Sequence, residues 1–187
     1  RFGAKRAGDF DLLQQAAQQH GFDAVQVPAL ESHNKRVSST RVREALNQGD
    51  LAGVSELLKR PYSLWGKVAY GSQRGSELGF PTANLNLHRR SVPLLGVYVV
   101  RAHGIYDKPV NGVANIGMRP TFSGKKVILE AHLFDFNDNI YGKNIEIEFL
   151  DKIRDERRFD CMEELIAQIK QDVMDARLYF EGNSLTV

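Results

Sequence analysis

Between residues 62 and 150 the chain repeats one pattern, a strand-length run rich in valine, isoleucine and aromatics followed by a cluster of Gly, Pro or Asn. The runs are Tyr62–Tyr70, Leu95–His103, Val110–Ile116, Lys126–Phe136 and Asn144–Leu150. The last alternates cleanly, with Ile145, Ile147 and Phe149 inward and Glu146 and Glu148 outward, which marks a half-buried strand. Strands at this spacing without intervening helices predict a mainly β fold, a small antiparallel barrel or sandwich.

Helical patterns flank the β region. At the C-terminal side, Met162, Leu165, Ile166, Ile169, Val173, Ala176 and Phe180 recur at spacings of three and four, the apolar stripe of one long helix. Asp160 with Glu163 resembles a capping box, and Gly182 is the expected stop. In the first third, Asp9 caps a predicted helix through Ala17 that Gly21 closes, and Asp23–Val27 is a short extended piece. Ser39 or Thr40 is expected to cap a second helix through Leu46, and Asp50 a third that ends at Leu58 before Arg60-Pro61. One short strand among three helices is too little for an independent α/β core, so residues 1–59 are expected to be part of a domain and 60–187 a complete one.

Charge separates the same two parts. Residues 1–60 carry nine basic and seven acidic side chains, whereas residues 61–187 carry sixteen of each, so the whole net charge of +2 lies in the first third. That balance argues against a general nucleic-acid binder, and an oligonucleotide-binding barrel would need an aromatic–basic stripe that is not there. The single cysteine, Cys161, excludes an internal disulfide framework and a zinc cluster of its own. No apolar run approaches the ~18 residues of a spanning helix, and a cytoplasmic protein is expected.

The stretch most able to carry chemistry is Gly66–Asn84. Gly71, Gly75 and Gly79 lie four apart in a loop that leaves a predicted strand. Glycines allow backbone N–H groups to converge on an anion and allow close approach of a ligand. Neither common phosphate motif is present, and a plain flexible loop and a phosphate loop both fit the spacing. Ser123-Gly124-Lys125-Lys126 brushes one such motif and is expected to form a hairpin turn. In Pro81-Thr82-Ala83-Asn84, a hydroxyl and an amide two apart share a side if the segment is extended. Two neutral oxygen donors side by side suit Mg²⁺ shared with nucleotide phosphates; the alternative is a turn in which both bond their own backbone.

Glu130 shares a strand face with Ile128, His132, Phe134 and Phe136. Apolar surroundings favour the neutral form of a carboxyl, which suits a general base near neutral pH; the alternative is an edge-strand glutamate paired with a lysine. His132 is expected to be a packed histidine. Val37-Ser38-Ser39-Thr40-Arg41-Val42-Arg43 places hydroxyls at a helix start with Arg43 one turn in, which fits an anion site or ordinary capping.

At these residues the sequence resembles the bacterial bifunctional riboflavin kinase/FMN adenylyltransferases, or FAD synthetases. Gly79–Asn84, GFPTAN, is similar to the riboflavin kinase signature. Leu129–His132 followed by Asp135 and Tyr141-Gly142 resembles the strand that carries that family's catalytic glutamate. Lys152–Asp160, KIRDERRFD, is similar to the segment that leads into its final helix. The resemblance runs from about Arg60 to Phe180. FGAKRAGD near the start and VSSTRVR resemble the last motifs of the adenylyltransferase domain, but no H-x-G-H occurs in the chain. An arginine rather than a methionine at position 1 fits a fragment.

The resemblance implies a small antiparallel Greek-key-like barrel of the riboflavin kinase type, one that moves the γ-phosphate of ATP to the ribityl 5′-hydroxyl of riboflavin, giving FMN and ADP. It assigns Thr82 and Asn84 to Mg²⁺ and the γ-phosphate, and Glu130 to the attacking hydroxyl. Gly71, Gly75, Thr82 and Tyr141 would line the ATP site, and Arg154 and Phe159 the flavin site. Phe159 can stack on the isoalloxazine ring or staple onto the helix, and both readings stand. Arg43 would meet phosphate in the adenylyltransferase remnant. Glu77 is a departure, an acid in a loop that covers anionic phosphates, so Arg74 is the expected phosphate neighbour unless Glu77 points to solvent. Small-molecule partners are expected, with no nucleic acid and no membrane. A non-catalytic flavin- or nucleotide-binding barrel is the rival reading.

Overall fold

In the computed structural model the alternating runs close into a barrel. It describes residues 2–71, 74–87, 89, 92–121 and 124–183, and of residues 74, 119–121, 124–126 and 183 only the backbone. The chain divides into two compact units, up to Val37 and from Ser38 onward.

In the first unit, Phe2 and Gly8 bridge across a short 3₁₀ turn at Ala4–Arg6. Helix α1 (Phe10–His20) follows, capped by the Asp9 carboxylate, which accepts from the Leu12 N–H at 3.2 Å, and it ends at Gly21. The extended piece expected at Asp23–Val27 is not a strand. The two-residue strands β1 (Glu31–Ser32) and β2 (Lys35–Arg36) come later and pair around His33 and Asn34, both at positive φ.

The second unit opens with α2 (Ser39–Gln48) and α3 (Leu51–Leu58). The α2 cap is Ser38, whose hydroxyl accepts from the Arg41 N–H at 3.3 Å, one residue before the expected Ser39 or Thr40. Asp50 caps α3 as expected, accepting from the Gly53 N–H at 2.8 Å. Both helices share the barrel's unit because Leu46, Leu51 and Val54 are buried in its core. The packing boundary therefore falls at Val37, before the sequence boundary near residue 60.

Six strands follow: β3 (Tyr62–Ala69), β4 (Ala83–Asn86), β5 (Gly96–His103), β6 (Val110–Thr121), β7 (Gly124–Leu133) and β8 (Asn144–Arg154). All neighbours are antiparallel in the closed order β3-β4-β7-β6-β5-β8. Strands β5, β6 and β7 form a meander and β8 returns beside β5, the Greek-key order. The expected Ser123–Lys126 turn is in part a strand, since β7 starts at Gly124 and pairs Thr121 with Gly124; Ser123 lies outside the described residues.

Alternation sorts the side chains. Leu64, Val68, Leu85, Tyr98, Val100, Ala114, Ile116, Leu129, Ala131, Ile145, Ile147 and Phe149 fill the interior. Burial, with the charge of Asp155 adding to it, pushes the Tyr98 phenol up to about 12, and its hydroxyl donates to the Leu95 carbonyl at 2.9 Å. Outward-facing Val97, Val99, Val113 and Phe134 form a second cluster with Ala176, Val173 and Phe180 of α5 (Met162–Asn183). Helix α5 starts at Met162, one residue later than an Asp160 cap requires, and it runs through Gly182 rather than stopping there.

Candidate functional site

Where α5 covers the outer face of the barrel, a cavity of about 340 Å³ lies between its first half and strands β4, β6 and β7. Register builds the strand wall. Asn84 on β4 stands opposite Glu130 on β7, and Glu130 stands opposite Asn115 on β6. Directly opposed residues of an antiparallel pair share a face, so the three form one polar row across three strands. All three line the cavity, with Thr82 just before β4. The edge-strand alternative for Glu130 does not hold, because β7 is flanked on both sides in a closed barrel. Phe136 is not on its face: Asp135 at φ 53° breaks the alternation, and Phe136 packs against the interior cluster.

The glycine loop is built to lie against this row. A Cβ on Gly71 would fall 2.3 Å from Asn84 Nδ2, and one on Gly75 would fall 2.4 Å from the Phe80 carbonyl oxygen and 3.2 Å from Thr82 Oγ1. Only glycine allows such an approach. The loop also contains a one-turn helix, α4 (Arg74–Glu77), and the Phe80 N–H donates to the Gly75 carbonyl at 2.7 Å. Glu77 is exposed, while the Arg74 side chain lies outside what is described. Asn84 Nδ2 reaches the Thr82 carbonyl at 3.5 Å, so the backbone-bonding alternative is partly realised. His132 packs edge-on to Phe80 and Phe134, and its Nδ1 lies 2.9 Å from the Pro81 carbonyl, a bond that sets the approach to Thr82.

The opposite wall comes from residues 154–159 and from α5. Arg154, Glu156, Arg157, Phe159, Leu165, Ile169 and Asp172 line it. The Arg154 guanidinium is held by Asp172, and the ring of Phe159 lies beneath Arg157 at 4.6 Å and Arg154 at 5.9 Å. Tyr141 lies apart. It lines a second cavity of about 180 Å³ with Ser76, Pro81, Phe136 and Asp138, and it stacks on Tyr70 at 3.9 Å. Thr82 lines both cavities and so marks where they meet. Beyond Asp135, the Arg177 guanidinium holds the aspartate carboxyl below its ordinary range and stacks over Phe134 at 4.5 Å. Arg43 is exposed on α2 and lines neither cavity.

Sequence reasoning singles out Gly75, Thr82, Asn84, Glu130, Arg154 and Phe159 separately, and in the structure they line one cavity. It misses Asn115, although the alternation of Val113 and Asn115 against Ala114 and Ile116 carries that signal. It also misses Asp172, an acid seven residues after Leu165 on the apolar seam that continues to Ala176. Among the described residues no group of three or more His, Cys, Asp or Glu is arranged to hold a metal ion. The donors on the strand wall are the Thr82 hydroxyl, the Asn84 and Asn115 amides and the Glu130 carboxylate, a set that suits Mg²⁺ because magnesium keeps several waters and few protein ligands.

Comparison with known proteins places these features in context. A riboflavin kinase family profile matches residues 58–180. The bifunctional riboflavin kinase/FMN adenylyltransferase of Haemophilus influenzae is 44% identical over 97% of this chain and 59% of its own length. The Escherichia coli protein of the same description is 45% identical over 96% of this chain and 58% of its own length. The chain thus spans under two thirds of these relatives. A Streptococcus pneumoniae crystal structure described as a macrolide-efflux protein matches with a TM-score of 0.71 at 35% identity, over 91% of this chain and 55% of that one. Among the described residues here, no helix is long and apolar enough to cross a membrane.

Proposed function

The chain belongs to the riboflavin kinase family, and from that premise we propose that it transfers the γ-phosphoryl group of ATP to the ribityl 5′-hydroxyl of riboflavin, giving FMN and ADP. The observation that carries the reading is the row Asn84–Glu130–Asn115 beside Thr82 in one cavity. Phosphoryl transfer needs a positioned nucleophile, a proton acceptor and stabilisation of spreading negative charge.

Glu130 accepts the 5′-hydroxyl proton as that oxygen attacks phosphorus and the bond to the ADP oxygen breaks. Asn115 and Asn84, on either side, orient the hydroxyl toward it. Thr82 stands at the junction of the two cavities, with the nucleotide on the Tyr141 side and the flavin on the Phe159 side. Thr82 and Asn84 would hold Mg²⁺, which when bound neutralises charge on the phosphoryl oxygens. Gly71 and Gly75 keep the covering loop close without occupying that space. Phe159 and the apolar residues Leu165 and Ile169 form the face for the isoalloxazine ring.

Residues 1–59 are the end of an adenylyltransferase domain in this reading, with Arg43 a phosphate contact there. The full-length protein converts FMN to FAD, and these residues, which hold no H-x-G-H, do not do so alone. The substrates fit a cytoplasmic enzyme. The test is incubation of the chain with riboflavin, ATP and Mg²⁺ and chromatographic detection of FMN. Flavin binding without FMN would favour a non-catalytic binding module instead.

A further inference from the structure

The segment from Asp155 to Asp160 has neither helix nor strand, and its residues Asp155–Arg158 are exposed. Yet it supplies Glu156, Arg157 and Phe159 to the cavity. Side chains rather than backbone pairing hold it in place. Lys152 pairs with Asp155 at 2.6 Å, but that pair is exposed at Asp155 and such pairs contribute little. The buried anchor is a carboxylate on α5. Asp172 is only 4% exposed, and charged groups are buried at a cost unless they are well paired. It accepts three hydrogen bonds: Arg154 Nε at 2.8 Å and Gln168 Nε2 at 2.7 Å on one oxygen, and an Arg154 terminal nitrogen at 2.6 Å on the other. This two-point pairing fixes the plane of the guanidinium.

The fixed guanidinium then holds the segment at both ends. Its remaining terminal nitrogen donates to the Asp155 carbonyl at 3.0 Å, and its face meets the Phe159 ring at 5.9 Å, within cation–π range. Three of the five guanidinium donors are thereby engaged inside the protein.

We propose that Asp172, with Gln168, is a positioning residue for flavin binding. It acts through Arg154, which orders residues 155–159 as the flavin wall and is itself a strut rather than the flavin's charged contact. The proposal rests on the kinase reading for the identity of the ligand, but not on turnover. The cavity wall is set before the ligand arrives, so the ligand does not have to order Glu156, Arg157 and Phe159 itself. Without the strut, that ordering falls on the binding step, a loss of about ten- to hundredfold in affinity.

The experiment measures riboflavin affinity by flavin fluorescence and ADP affinity by calorimetry on the full chain, with thermal melts for each variant. Asp172→Asn keeps the side-chain shape and removes the charge; riboflavin affinity falls about tenfold or more while ADP affinity stays within about twofold. Removing one partner of a buried pair can prevent folding, whereas replacing both by apolar residues of similar size is often neutral. The double variant Arg154→Met/Asp172→Leu is therefore decisive: it melts like the wild type and still binds riboflavin weakly. Wild-type riboflavin affinity in the double variant overturns the proposal, as does equal loss of riboflavin and ADP affinity. A wild-type chain that binds riboflavin but makes no FMN defeats the catalytic reading and leaves this comparison intact. A wild-type chain that binds no riboflavin defeats both.

Discussion

The two walls of the main cavity are made by different physics. On the strand wall, Asn84, Glu130 and Asn115 are placed by the register of β4, β7 and β6 in a closed barrel. Backbone hydrogen bonds and the interior packing of Leu85, Leu129 and Ile116 hold that register, and no single side chain decides it. On the facing wall, Phe159 and Arg157 sit on an irregular segment held by side chains, the buried Arg154–Asp172 pair and the exposed Lys152–Asp155 pair. The difference teaches where each task belongs. In the proposed reading, proton transfer, which tolerates little misplacement, falls to the wall fixed by strand register, and flavin contact to the wall that side chains can tune.

The sharpest break of this contrast is Glu130→Gln. It keeps the row's shape and removes the proposed proton acceptor, so turnover falls about 10²–10⁴-fold while the melt and ADP binding are unchanged. Near-normal FMN production by that variant would show that the strand wall does not hold the base. Gly71→Ala comes next. Its Cβ would meet the Asn84 amide at 2.3 Å, and shifting that side chain costs up to about 10²-fold in turnover with riboflavin affinity kept. A wild-type rate would mean that the loop simply yields.

On the other wall, Arg157→Ala removes the cation 4.6 Å above Phe159, and riboflavin KM rises only a few-fold, about 0.5–1 kcal/mol, with kcat unchanged. Equal loss of kcat would make the two walls one machine. The smallest effect lies outside both. Arg177 lowers the Asp135 carboxyl from its ordinary 3.8, so their pairing stabilises the fold in full above that value and is lost as pH falls through the lowered one. Asp135→Asn therefore narrows the difference between melts at neutral and strongly acidic pH and leaves activity at neutral pH alone. An identical acid dependence in both proteins would remove that contribution.

The strand wall was the more legible in the sequence. Apolar patterning marks five of the six barrel strands, whether one face is buried, as along most of β8, or both, as in β5. Strand β4 escapes it: Ala83–Asn86 is four residues long and follows a proline, which reads equally as a turn. Strands β6 and β8 continue past the apolar runs, to Thr121 and Arg154, because backbone pairing with β7 and β5 carries them on. Pro81–Asn84 and Glu130 were visible as motifs, but their meeting depends on β4 pairing with β7, which no local pattern encodes. Asp172 was invisible for a related reason. Its partner Arg154 lies on another element, and a carboxylate beside a helical stripe normally faces water.

The closed strand order also has a consequence in time. Strand β3 finds its partner β8 only once residues 144–154 exist, and β4 waits for β7 across all of β5 and β6. Such distant pairings lose much chain entropy before any contact forms, and barrels of this kind fold in roughly milliseconds to seconds rather than microseconds. Asn84 and Glu130 therefore become neighbours only when the meander is in place. During synthesis, that row cannot form until β7 has been made, about 45 residues after Asn84.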